Sequence, residues 1–400
     1  MIEEQIRKGF SALGLYLELT RSDPVDVLGL PVYRVELSDI AKSTGFGGMR
    51  FWGKGLNSEK SRHGALAEAV ERYCAYEHSG APRIQASFGE LGKAALDPRR
   101  LLPIAPELIP PEKRPRYRLE NPIDWVEGQN YRTGESVYVP AASVYLYPPG
   151  KDGLISATSS GLAAGTSEPA AVLHALCEIV ERDATMILMR NRMVRQCIES
   201  PEALGAVVER LRKQGFKVIL RDITTDIQIP SVVALICDEK KRFPSLTFGF
   251  GTHPNQEVAC IRAVTEAAQS RVVEIYHRRK YGVRQFAHGE LQTIFSHLLV
   301  DVPKRPLVAT SPRGGDNLDE LIETCLTKIL EIIPDTALYI LRLTRPEFSI
   351  PTFRVVVPGL VPPQANYPFV LPRLLKMPHT LGYSDRDVLA HELWQGTWPH

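Results

Sequence analysis

No two of the six cysteines have the spacing of a CxxC pair, which leaves no local signature of a zinc site or a dithiol redox centre. Several lie in apolar helical patterns and read as small hydrophobes in a reducing cytoplasm. Charge of one sign is also lacking. The 48 Lys and Arg against 46 Asp and Glu leave +2, too weak a field to indicate a nucleic-acid partner. No apolar run reaches the ~18 residues of a membrane span. The charged start, Met1-Ile-Glu-Glu-Gln-Ile-Arg7, lacks the apolar stretch of a secretory signal, so a cytoplasmic location is expected. GxxxxGK[ST] is absent, which excludes a P-loop. What remains is 400 residues, 44% hydrophobic and 24% charged, the make-up of a globular enzyme with enough apolar material to offset the entropy of ordering.

Helical and strand patterns alternate along the chain, which predicts an α/β (α+β) fold. The spacing predicts helices over 58–80, 167–195, 201–214, 254–281 and 316–334. Strands are predicted at Pro31–Val35, Asn130–Tyr131, Ser136–Pro140, Lys217–Arg221, Ser231–Cys237 and Phe353–Pro358. Residues 43–57 read as a glycine-rich loop, and residues 1–57 as a whole as strand-like pieces and turns. Seven prolines fall in 97–124, which reads as a surface excursion. The last 40 residues carry no assignable pattern. The organisation expected is one catalytic unit over 1–400, with its core at about 20–360, the excursion at 97–124 and a tail at 361–400.

One arrangement recurs on the three longest predicted helices. The first carries Glu68, Glu71 and Arg72, the second Glu178, Glu181, Arg182 and Asp183, the third Arg262, Glu266, Gln269 and Arg271. Residues three apart share one helix face. Small apolar residues surround these acids, and a carboxylate there is costly unless a cation compensates. Carboxylates from several helices suit magnesium, and neighbouring arginines suit phosphate. One such copy is an ordinary solvated face with an internal ion pair. Three copies, each after a turn of small residues, point to a magnesium–phosphate site. Gly53-Lys54-Gly55 before the first helix could set a lysine and backbone N–H groups against phosphate. Ser159-Ser-Gly-Leu-Ala-Ala-Gly-Thr-Ser167 precedes the second helix, where Ser167 is a candidate N-cap.

Taken in order, these segments resemble the YcaO family. Gly53-Lys54-Gly55 with Glu68, Glu71 and Arg72 looks like the family's first ATP-binding signature. Ser160–Gly165 running into Glu178, Glu181 and Arg182 looks like the second. Gly249-Phe-Gly-Thr-His253 with Arg262, Glu266 and Gln269 looks like the third, and Val355–Leu360 resembles a family C-terminal strand. The resemblance spans about 20–360 and implies a YcaO-type fold, with three motif-bearing helices around a Mg2+-ATP site. It implies Glu68, Glu71, Glu178, Glu181 and Glu266 as magnesium ligands. It implies Lys54, Arg262, Gln269 and Arg21 as phosphate contacts, with Arg72 and Arg182 beside them. The chemistry implied is phosphorylation of a peptide amide oxygen after a nucleophile attacks its carbonyl carbon. Sulfide would then give a thioamide, a Cys, Ser or Thr side chain an azoline, and an amine an amidine. No catalytic residue beyond the binding set is assigned.

Two departures narrow the expectation. Gly64 stands where the family has serine, and Ser61 is the candidate to replace that hydroxyl. The chain ends Trp394-Gln-Gly-Thr-Trp-Pro-His400 rather than in the proline-rich tail of azoline-forming members, which tilts the reading toward thioamide formation with a separate TfuA-like partner. Without a visible E1-like or leader-peptide-binding domain, recognition of a peptide or protein substrate would fall to a partner. A homodimer is expected from the family alone. Two other classes compete: a nucleotide-binding scaffold without chemistry, suggested by Gly64, and a metal-dependent hydrolase.

Overall fold

The computed structural model describes residues 2–39, 48–76, 82–101, 118–146, 158–282, 293–307, 317–360 and 371–394. The chain is divided into two compact units, one built mainly from Met1–Ala69 and Arg192–Gly314, the other mainly from Val70–Asn191 and Gly315–Thr397.

The first unit opens with α1 (Ile2–Ala12) and an antiparallel sheet of β1 (Leu15–Arg21), β2 (Val32–Asp39) and β3 (Arg50–Lys54) in that order. Helix α2 (Ser58–Cys74) follows β3. The predicted loop at 43–57 is thus partly strand, with 43–47 outside the described residues. Gly53 explains the misreading. A Cβ there would lie 1.9 Å from the Ser61 carbonyl oxygen and 2.3 Å from the Ala65 nitrogen, so glycine is required by strand-on-helix contact and not by a turn. Nor are residues 1–57 only strands and turns, since α1 buries Ile6 and Phe10.

In the second unit's sequence come β4 (Ile84–Ala86), α3 (Phe88–Leu91), β5 (Ile123–Asn130), β6 (Ser136–Pro140), α4 (Ala141–Val144), β7 (Leu162–Ala164) and α5 (Glu168–Asn191). Back in the first unit, β8 (Cys197–Ile198), α6 (Glu202–Lys213), β9 (Phe216–Asp222), β10 (Ser231–Asp238), β11 (Leu246–Thr252), α7 (Gln256–Tyr281) and β12 (Lys304–Arg305) complete a sheet ordered β11-β10-β9-β8-β12. Strand β10 alternates little because one face meets α7 and the other is also covered. Val232, Ala234 and Ile236 pack with Ala259, Ala263, Val264 and Ala267 in one core. The second unit also contains α8 (Leu318–Ile332), β13 (Tyr339–Arg342), β14 (Thr352–Val356) and α9 (Pro372–Thr380). There the sheet runs β4-β5-β13-β14-β7, with β6 pairing β5.

The predicted 58–80 helix stops at Cys74, and residues 77–80 fall outside the described set. The 167–195 helix ends at Asn191, where Arg192 takes a positive φ of 50°. In the proline-rich excursion, 102–117 lie outside the described residues, but Ile123 and Asp124 already belong to β5. Within the tail, α9 forms over Pro372–Thr380, with the proline in its first turn. Among the described residues no helix is long and apolar enough to cross a membrane.

A strand–turn–helix step occurs three times in the same register. Trp52, Leu162 and Phe250 lie on β3, β7 and β11. Five residues on, Asn57, Ser167 and Asn255 cap the helices. Asn57 Oδ1 accepts the Lys60 N–H at 2.9 Å, Ser167 Oγ the Ala170 N–H at 3.3 Å, and Asn255 Oδ1 the Glu257 N–H at 2.9 Å. Eleven residues beyond each cap stands an acid: Glu68, Glu178 or Glu266. The sequence repeat is therefore a repeat of structure, in which one cap sets where each acid falls along its helix.

Candidate functional site

In the first unit, two acids are fastened to the strands that precede their helices. Glu68 Oε2 accepts the Trp52 N–H at 2.7 Å, and Glu266 Oε1 accepts the Phe250 N–H at 3.2 Å. Both strands come close enough because glycine faces the helix. A Cβ on Gly251 would lie 2.1 Å from the Ala259 carbonyl oxygen. Glu266 Oε2 also takes the Lys54 ammonium in a close ion pair. Arg262 and Gln269 lie one turn to either side of Glu266 on α7, half-buried. Among the described residues their side chains have no hydrogen-bond partner, so they are open to a ligand.

Three first-unit positions have other work. Ser61 is fully buried; its hydroxyl donates to the Gly53 carbonyl at 2.7 Å and accepts the Tyr33 N–H at 3.1 Å. It ties α2 to the sheet, and its one donor, the capacity a phosphate oxygen would need, is spent on the Gly53 carbonyl. Arg21 pairs with Asp23 at 2.9 Å, which raises its guanidinium pKa further. The register sets Arg21 opposite Tyr33 and Tyr33 opposite Gly53, roughly 9–10 Å from Gly53 across two strand spacings. Arg271, the arginine of the third repeat, is buried against Asp26 at 3.0 Å and Asp238 at 3.4 Å, with Phe216 beneath it. It braces the fold.

In the second unit the acids are held by arginines of their own helices. Arg182 lies 3.3 Å from Glu178 and 3.8 Å from Glu181 on α5. Arg72 lies 3.4 Å from Glu71 on α2. Glu181 is buried and Glu178 half-buried. Asp183, next in sequence, points elsewhere: it is fully buried and gripped by Arg373 of α9 at 2.9 Å. Sequence reading missed Arg354. It sits in the middle of β14, whose five residues are all buried. Burial pushes its guanidinium down to about 9, opposed first by the field of Glu178. A cation inside Phe353-Arg-Val-Val-Val-Pro358 was the available signal.

Among the described residues no three His, Cys, Asp or Glu side chains gather closely enough to hold a metal unaided. Magnesium does not demand that, since one or two carboxylates suffice when phosphate oxygens and water fill its octahedron. The donor set fits it: Glu68/Glu71 and Glu178/Glu181 are hard carboxylate pairs three residues apart and Glu266 adds a fifth acid, and Glu71, Glu178, Glu181 and Glu266 each lie against a lysine or arginine that a metal could displace. Cysteine chemistry does not compete. Burial pushes Cys74 and Cys237 up to about 11 and Cys260 up to about 12, so these stay protonated thiols near neutrality.

Residues 52–361 match the family model described as YcaO cyclodehydratase, ATP- and Mg2+-binding. A protein of Methanothermobacter thermautotrophicus is 29% identical over 363 residues, covering 86% of this chain and 88% of the other. A protein of Rhizobium leguminosarum bv. trifolii, described as lying in the tfuA 3′ region, is 31% identical over 343 residues, 78% of this chain and 76% of that one. Among solved structures, a heterocyclase in complex with substrate and cofactor superposes with a TM-score of 0.82 at 23% identity, over 100% of this chain. YcaO from Methanopyrus kandleri bound with AMPPCP and Mg2+ gives 0.69 at 23% identity, covering 90% of this chain and 89% of that one. The chain spans only 57% of the heterocyclase's length. These two structures establish the mixed helix-and-sheet fold.

Proposed function

The chain belongs to the YcaO family of ATP- and Mg2+-binding cyclodehydratases, and from that premise we propose that it activates a backbone amide of a peptide or protein by phosphorylating the amide oxygen. The observation that carries the reading is the threefold acidic step, with its cations paired to the acids and Arg262 and Gln269 left open. Bound Mg2+-ATP supplies a phosphoryl group, which turns the poor amide leaving group into a good one. The chain's part is to hold and orient. Glu68, Glu71, Glu178, Glu181 and Glu266 bind magnesium, and Lys54, Arg72, Arg182, Arg262 and Gln269 take phosphate oxygens and steady the charge that develops on transfer. Arg21 would reach nucleotide only by leaving Asp23. A nucleophile would add to the carbonyl carbon, the amide oxygen would take the γ-phosphoryl group as ADP leaves, and the C–O bond would break with loss of phosphate and of the nucleophile's proton.

The favoured product is a thioamide, with sulfide as nucleophile and a TfuA-like partner. The relative in the tfuA 3′ region supports this branch. Azoline formation is the second reading, favoured by the fold shared with the heterocyclase. In either, a partner protein presents the peptide.

The binding half is tested by thermal shift with ATP, with and without Mg2+, beside Glu178→Ala. At 100 times its dissociation constant a ligand stabilises by about 2.7 kcal/mol. The expected result is a Mg2+-dependent rise that the variant lacks; no rise in the wild type, alone or with partner, counts against the reading. Mass spectrometry of peptide, partner and ATP separates the branches. Exchange of oxygen for sulfur marks a thioamide, and loss of one water an azoline.

A further inference from the structure

The first and third repeats share a contact that the second lacks. Glu68 and Glu266 each accept a backbone N–H from the strand residue sixteen positions earlier. The equivalent donor for Glu178 would be the Leu162 N–H, but that group donates to the Ser159 carbonyl at 3.0 Å. Glu178 is left with Arg182 on Oε1 alone, and its Oε2 has no partner among the described residues. Arg354 stands opposite Leu162 in the β7–β14 register. Next to it, Gly161 lies so close to Ile179 and the Val355 carbonyl oxygen that a Cβ would come within 3.0 Å and 2.5 Å of them. Strand β14 therefore crosses α5 beside Glu178.

Arg354 is 2% exposed. Its Nε donates to the Val144 carbonyl at 3.0 Å, and Nη1 donates to the carbonyls of Thr158 at 2.9 Å and Ser160 at 2.6 Å. Those bonds fix the guanidinium and hold the turn that leads into α5. Nη2 has no partner. A buried unsatisfied donor is costly, and on a cation more so. The fold thus keeps an idle donor near an idle carboxylate oxygen, at the step where the other two repeats use a strand N–H.

We propose that Arg354 is a positioning residue for magnesium, whose Nη2 donates to Oε2 of Glu178 once the metal has taken Oε1 from Arg182. A ligating carboxylate is commonly oriented by a hydrogen bond to its other oxygen, and loss of such a partner weakens metal affinity by about 10–100-fold. Arg354 supplies that bond from the sheet where the backbone cannot. The inference rests on the assignment of Glu178 as a magnesium ligand made above.

The test is a Mg2+ titration at fixed AMPPCP, followed by thermal shift on the full chain. Arg354→Lys keeps the charge and removes the planar fork. The expected result is a rise of about 10-fold or more in the Mg2+ concentration for half-saturation. A purely structural role would lower the ligand-free melting temperature and leave the half-saturation unmoved, and that outcome in a folded variant overturns the inference. Should Arg354→Lys not fold, a crystal structure of the wild type with AMPPCP and Mg2+ decides. Nη2 within hydrogen-bond distance of Glu178 upholds the assignment, and no carboxylate on Nη2 overturns it. A wild type with no Mg2+-dependent nucleotide binding fails at the earlier step and removes both readings together.

Discussion

Glu266 and Glu178 occupy the same step of the same repeat, yet one is held by a strand N–H as well as by Lys54 and the other by a side chain alone. On α7 the carboxylate is bonded to a backbone N–H that a packed sheet cannot withdraw. On α5 it is bonded to an arginine one turn along, at 3.3 Å, with both side chains mostly buried. The contrast teaches that a shared sequence pattern fixes where an acid stands along its helix and leaves open how firmly it is aimed. Backbone-held acids are set before any ligand arrives. Arginine-held acids can exchange partners, because an arginine side chain can change rotamer where a strand N–H in a packed sheet cannot.

The largest way to break that contrast is Glu266→Ala. It should remove the Mg2+-dependent nucleotide stabilisation and also orphan the Phe250 N–H, lowering ligand-free stability by about 1–3 kcal/mol. Glu178→Ala should remove the nucleotide effect with little change without ligand. Equal ligand-free losses in urea titrations of the two would erase the distinction.

Acid titration sharpens it once one histidine is allowed for. Burial holds His297 down to about 4, so the folded state keeps it neutral while the unfolded chain protonates near 6.5. The unfolded state then binds more protons, and stability falls as pH drops from 6.5 toward 4, by at most about 1.4 kcal/mol per pH unit from this group. In His297→Leu that share of the slope should vanish, leaving the carboxylates to be read. An unchanged slope would show that His297 is not the group responsible.

Arg182→Met takes the cation from the buried Glu181 and the largely buried Glu178 and should lower ligand-free stability by about 1–3 kcal/mol. A loss within about 0.5 kcal/mol would show that the α5 acids do not depend on Arg182. Glu199→Ala, outside the repeat, should leave nucleotide affinity unchanged; a marked loss would mean the site extends beyond the three helices.

Much of this was legible in the sequence. The long helices announced themselves through apolar period and caps, and the acids through their three-residue spacing, because both depend on neighbours along one helix. Strand β3 was hidden because its glycines serve a helix that packs on them, a reason composition does not carry. Arg354 was hidden for a related reason: its acceptors are carbonyls roughly 200 positions away. Ser61 had the right chemistry for a ligand contact, and only the register of Tyr33 and Gly53 against it shows the hydroxyl already engaged.

The strand bonds to Glu68 and Glu266 also bear on the entropy of binding. A glutamate free in solution loses up to about 2 kcal/mol of rotamer freedom when a ligand immobilises it. Here the fold has met that cost during folding, for the two acids that a backbone N–H already holds. A cation arriving there meets side chains with little freedom left to lose, and its affinity is set by charge and geometry more than by the ordering of its ligands.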